Sequence, residues 1–78
     1  MGASVEISIQ QTRRGKLVDW AELRCGDAIE VVFRDRERDL GTVDCVGHDG
    51  ALVWAQLQRA GHRVLLDQLD STQIFYAQ

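Results

Sequence analysis

The chain has 78 residues, 45% apolar and 27% charged, with a formal net charge of −3 and a sequence pI of about 5.2. That length supports one domain around one compact core, and the balance is that of a globular chain, not a disordered one. No apolar run approaches the roughly 20 residues of a membrane helix, residues 1–11 lack the basic start and apolar centre of a signal peptide, and an acidic total opposes sequence-independent binding to phosphate backbones. A cytoplasmic protein without membrane contact is the expectation. Proline is absent, so turns fall to Gly and Asp.

The first element is Val5-Glu6-Ile7-Ser8-Ile9, whose alternating apolar side chains mark a half-buried strand. Arg13-Arg14-Gly15-Lys16 follows as a basic turn. Residues 17–23 carry Asp19 ahead of Trp20 and Leu23, a cap followed by a single helical turn too short to be an independent helix. After Gly26-Asp27, residues 28–34 form the clearest strand. Ile29, Val31 and Phe33 share one of its faces, and Glu30, Val32 and Arg34 the other. Residues 35–39 make a charged turn, and residues 40–46 a second strand in which Gly41 marks a bend or a close backbone approach.

Gly47-His48-Asp49-Gly50 signals a hairpin, because Asp-Gly supplies the positive φ that tight turns need. Residues 51–57 form a strand apolar on both faces and therefore central. Residues 59–62 turn the chain, 63–66 return it, 67–70 make one 3₁₀ turn, and 72–76 close it as a last strand. Five short strands from residue 28 onward, joined by hairpins, predict a mostly β fold: a small five-stranded barrel that hides its edges by bending. The strand at 5–9 is extra and must pair with an edge of its own sheet or with a partner. Leu23, Ile29, Val31, Phe33, Val43, Leu52, Trp54, Val64, Leu66 and Ile74 are the expected core.

Residues 23–31, Leu-Arg-Cys-Gly-Asp-Ala-Ile-Glu-Val, resemble the opening of SH3-like barrels of the Tudor and KOW type. Extended through Phe33-Arg34-Asp35 and Leu40-Gly41-Thr42-Val43, the stretch is also similar to the first motif of Sm-like proteins, with Gly41 at the glycine of the bent second strand. Val64-Leu65-Leu66-Asp67-Gln68-Leu69 looks like the strand, turn and strand that close such barrels, and like the small Sm-like inhibitors of the transcription terminator Rho. The resemblance implies an SH3-like or Sm-like fold over roughly residues 23–74 and carries no activity with it. Where Sm-like proteins present an acidic residue and an asparagine to RNA, this chain has Gly47 and Ala51, and the Arg-Gly step of the second motif is missing near Leu66-Asp67. Ser71-Thr72-Gln73-Ile74-Phe75 also looks like the substrate motif of the plasmid-borne trimethoprim-resistant dihydrofolate reductases, but in that family the motif precedes a further turn and strand, and here three residues follow Phe75.

The chemistry-bearing residues are few. His48 and His62 both fall in turns, and a general base needs an orienting group and a pocket. Cys25 and Cys45, one pair in a chain without a secretion signal, read as two small buried thiols; they make neither a disulfide nor a zinc site. No catalytic residue, cofactor or metal ligand is assigned. Arg34, Arg36 and Arg38 alternate with Asp35, Glu37 and Asp39, which in an extended hairpin segregates the two signs. Arg13, Arg14 and Lys16 form the one uncompensated basic cluster, with Trp20 near it. The preferred reading of Trp20 is a buried plug at the end of the barrel. Leu65, Phe75 and Tyr76 together exceed what so small a barrel is expected to hold; Phe75 faces opposite to Ile74 and Tyr76, and an exposed apolar strand edge near the C-terminus marks an interface.

The expectation is a non-enzymatic protein-interaction module, a homo-oligomer or the binder of another protein, with Val5, Ile7, Ile9, Phe75 and Tyr76 at the interface. The alternative is a barrel that binds RNA or DNA through Arg13, Arg14, Lys16, Arg34, Arg36 and Arg38, a transcription or RNA regulator. An oligomeric enzyme with a shared central pocket is the third reading.

Overall fold

The computed structural model describes residues 13–78. The strand expected at residues 5–9, and with it Val5, Ile7 and Ile9, lies outside the described residues. The elements begin with a 3₁₀ turn at Trp20–Glu22, followed by β1 (Ala28–Val32), β2 (Arg38–Val46), β3 (Leu52–Leu57) and β4 (Arg63–Asp67). A second 3₁₀ turn, Gln68–Asp70, leads into β5 (Gln73–Tyr76). Both short turns begin as expected at an aspartate whose carboxylate accepts from the backbone two residues on, Asp19 from Ala21 N–H at 3.1 Å and Asp67 from Leu69 N–H at 2.9 Å.

All strand pairs are antiparallel, and the sheet order is β4-β3-β2-β1-β5. The five strands and their hairpins therefore stand as expected. The sheet is not closed into a barrel: among the described residues no ladder joins β4 to β5, which remain its two edges. One of these edges is covered. Residues 15–18 run along β5, with Gly15 N–H donating to the Tyr76 carbonyl at 2.6 Å, Tyr76 N–H to Lys16 at 2.9 Å and Val18 N–H to Ile74 at 2.8 Å.

The core lies on one face. Val18, Trp20 and Leu23 precede the sheet, and Ile29, Val31, Val43, Val53, Ala55, Leu57, Leu66 and Ile74 come from its five strands. Phe33, Val46, Val64 and Tyr76 pack partly against them. Trp20, at 4% exposure, is buried, as its apolar neighbourhood implied. Gly41 sits opposite Leu57, and a Cβ there would run into the Gln56 carbonyl oxygen and lie 2.6 Å from Leu57 Cδ2. That is the close backbone approach expected of it. At the β2–β3 hairpin Gly50 has φ of +74° and packs against the backbone of Ala21, tying the tip of the hairpin to the first 3₁₀ turn.

Three expectations are corrected. Leu52 and Trp54 are not core: they face outward, 40% and 39% exposed, while Val53, Ala55 and Leu57 face inward. Register decides this. Inward-facing Val43 pairs with Ala55 and Gly41 with Leu57, so those residues share the inner face. Cys45 is exposed, not buried, because a bulge between Val43 and Cys45 interrupts the alternation that would return it to the Val43 side. Cys25 is exposed too, in the turn closed by Asp27 N–H and the Arg24 carbonyl at 3.1 Å.

The run of alternating charges at 34–39 does not segregate by sign either. Residues 34–36 form a turn in which Asp35 caps Glu37 N–H at 3.0 Å. Asp39, at 6% exposure, is the one buried charged residue among those described. Its carboxylate accepts from Arg59 N–H at 2.9 and 3.1 Å and from Ala60 N–H at 3.1 Å, fixing the β3–β4 turn.

Candidate functional site

The outer face of β3 and β4 carries apolar side chains that the core does not use. Cross-strand partners share a face, and Cys45 pairs with Trp54, which pairs with Leu65. Leu52, next to Trp54 on this face, pairs with Asp67. Trp54, Leu52 and Leu65 are 39%, 40% and 45% exposed. A tryptophan and two leucines side by side in water form a patch of the kind that marks an interaction site.

Arg63 orders this patch. Its guanidinium lies over the Trp54 ring, 4.8 Å from the centroid, and its Nε forms an ion pair with the Asp44 carboxylate at 2.8 Å. Asp44 belongs to the bulge in β2, so the irregularity that turns Cys45 outward also supplies the carboxylate that holds Arg63. The stack contributes about 0.5–1 kcal/mol at an exposed site. Its larger effect is to hold Trp54 in one orientation, which lowers the entropy lost when a partner covers it.

Beside the patch runs the outer edge of β4, with which no strand among the described residues pairs. His62 and Gln68, just outside the strand, both bond toward β3, through Leu57 N–H to the His62 carbonyl at 3.3 Å and Gln68 N–H to the Ala51 carbonyl at 3.0 Å. Antiparallel ladders alternate, so Val64 and Leu66 also bond toward β3, while the backbone groups of Arg63, Leu65 and Asp67 point away from the sheet. Among the described residues that edge has one partner, His62 Nδ1 at 2.8 Å from the Arg63 carbonyl. An open groove of about 690 Å³ lies along it, bounded by Phe33, Arg34, Leu65, Asp67 and Thr72.

The residues singled out by sequence fall elsewhere. Phe75 and Tyr76 are half-buried in β5, whose outer edge is taken by residues 15–18, and Phe75 pairs with Glu30 on one side and Leu17 on the other. Arg13 lies over the Tyr76 ring at 4.1 Å and pairs with Asp27 at 3.6 Å. Arg14 and Lys16 are exposed beside it. Arg34 and Arg36 lie in the β1–β2 turn, and Arg38 pairs with Glu30 at 3.6 Å. The first group adjoins Tyr76, which pairs with Ile29, and the second adjoins Val32 at the other end of β1. The structure does not bring the two groups together. His48 and His62 are exposed, and among the described residues no three His, Cys, Asp or Glu side chains converge as metal ligands would. No helix among the described residues is long and apolar enough to cross a membrane.

Sequence reasoning set Leu65 apart as surplus to the core, assigned Leu52 and Trp54 to the core, and passed over Arg63. The available signal was that residues 51–57 are apolar on both faces. A sheet with one core face leaves the second set in water. No known protein family, curated protein or solved structure matches the chain.

Proposed function

We propose that the protein is a non-enzymatic interaction module that self-associates, and that its contact surface is the outer face of β3 and β4. The observation carrying this is the side-by-side exposure of Leu52, Trp54 and Leu65. Aromatic residues anchor interfaces because they bury a large area at a low entropic cost, and Trp54 is already held by Arg63. In fold terms the reading is a small SH3-like or Sm-like barrel with its seam between β4 and β5. It is supported by the strand order, the 3₁₀ turn joining β4 to β5 and an inner cluster drawn from all five strands.

Two observations weigh against the nucleic-acid alternative. Trp20 is buried and offers no stacking platform to the Arg13 cluster, and the two basic groups lie at opposite ends of β1. The contact proposed from sequence at Phe75 and Tyr76 has less free surface than the β4 side, since residues 15–18 already hold that edge.

Light scattering on the full chain over a range of concentrations tests the reading. The expected mass is at least that of a dimer, falling toward the monomer for Trp54→Ser. A monomer at every concentration sinks it.

A further inference from the structure

The β4 edge specifies its own partner. We propose that the protein forms a two-fold dimer by pairing β4 antiparallel with β4 of a second copy, centred on Leu65, so that Arg63 of each copy faces Asp67 of the other. The inference rests on the self-association reading above and gives it a geometry.

Backbone direction comes first. Arg63, Leu65 and Asp67 turn their N–H and C=O groups away from β3, as the flanking bonds of His62 and Gln68 require. Only a register that sets these odd-numbered residues opposite one another satisfies the groups of both copies. Centring on Leu65 does so for all of them: Leu65 faces Leu65, and each Arg63 faces an Asp67, every such pair being a hydrogen-bonded pair of the ladder.

Charge selects this register over its neighbours. Centring on Arg63 sets that arginine against its own copy, and centring on Asp67 sets two carboxylates together; like charges directly opposite are unfavourable. Centring on Val64 or Leu66 avoids that but sets Arg63 against Leu65 or Leu65 against Asp67, and leaves Asp67 opposite Gly61 or Arg63 opposite Leu69 with no counter-charge. Charged residues on an edge strand usually repel a second strand. Here their opposite signs, two residues either side of Leu65, make antiparallel self-pairing the complementary arrangement. The side chains of Arg63, Leu65 and Asp67 all lie on the outer face, as their alternation with Val64 and Leu66 requires. Pairing the edges therefore joins the two Trp54–Leu65 patches into one apolar strip. The His62 ring, now on the Arg63 carbonyl at 2.8 Å, must swing aside for the outermost bond to form. The groove beside Leu65 and Asp67 leaves room for the incoming strand. An interface of this type is isologous, as a dimer of identical chains requires, and adds strand to strand as in β-augmentation.

The test uses a charge swap in the full chain. Arg63→Asp alone and Asp67→Arg alone each place two like-charge pairs in the dimer, and each is expected to weaken it at least about tenfold. Mixing the two variants in equal amounts gives two opposite-charge pairs, one exchanged and one native, and the mixed dimer is expected to return to near wild-type affinity. The loss of the Arg63–Trp54 stack or of the Asp67 cap within one chain would not be repaired by mixing. Separately, Leu65→Cys in a Cys25→Ser, Cys45→Ser background is expected to oxidise to a disulfide-linked dimer, because facing Cα atoms in such a pair lie about 5.5 Å apart. A wild-type dimer whose charge variants are not rescued on mixing, and whose Leu65→Cys form does not cross-link, overturns this geometry and leaves self-association standing through another surface. A monomeric wild type overturns both.

Discussion

The two faces of β3 are nearly equal in apolar character and opposite in fate. Val53, Ala55 and Leu57 are at most 1% exposed, while Leu52 and Trp54 on the same six-residue strand are 40% and 39% exposed. Hydrophobicity alone cannot sort them, since Trp54 is the largest apolar side chain of the strand and lies in water. Geometry sorts them. Val43 needs a small partner across the ladder and has Ala55; Leu57 closes over Gly41, where no Cβ intervenes. The inner face is thus selected by fit, and the outer face keeps an apolar surplus that contributes little to folding and is available for association.

The largest test of this contrast removes an inner side chain. Leu57→Ala is expected to cost about 2–5 kcal/mol in chemical denaturation, as buried leucine truncations do. A loss below about 1 kcal/mol would mean that the inner face is not the packed one. Next is Gly41→Ala. The new methyl group meets the Gln56 carbonyl oxygen as well as the Leu57 side chain; the side chain can shift but the backbone cannot, and an overpacked site of this kind is expected to cost about 2–3 kcal/mol. A variant of unchanged melting temperature would remove the close approach from the explanation of which face turns inward.

Much of the fold was legible in the sequence. Alternation marked a strand at 28–34, of which residues 28–32 form β1; Asp19 announced the first 3₁₀ turn, the 67–70 stretch read as the second, and Asp49-Gly50 signalled the hairpin. These are local signals, each decided within a few residues. The side taken by β3 was not legible. Gln56 is the one polar residue on its outer face, and Leu52 and Trp54 beside it are as apolar as Val53 and Ala55 inside, so the deciding facts are the register of β3 against β2 and the bulge at Asp44, both set by residues distant in sequence. The same limit explains Asp39. In a run of alternating charges it looks solvated, yet it is buried because the β3–β4 turn, 20 residues on, presents Arg59 N–H to it. The candidate site was missed for a related reason. Spare apolar surface was expected at the C-terminal edge, but residues 15–18 cover that edge, and among the described residues none pairs with the outer edge of β4.

The smallest effect on stability, and the sharpest test of the contrast, comes from the two tryptophans. Trp54→Ser removes a half-exposed ring and its stack on Arg63, so the monomer should lose no more than about 1 kcal/mol. Trp20→Ser, at a site only 4% exposed, belongs with the core truncations and should lose about 3 kcal/mol or more. Fluorescence separates them without any change in stability. Acrylamide should quench Trp54 readily in dilute protein and less as concentration rises where association is through the outer face, whereas a dimer paired only along the β4 edge leaves that ring open; Trp20 stays shielded in both. Each single-tryptophan form, Trp20→Phe or Trp54→Phe, reports on the other ring alone. If Trp54 quenching did not change with concentration while the mass doubled, the outer face of β3 would lie outside the contact, and its apolar surplus would need another occupant.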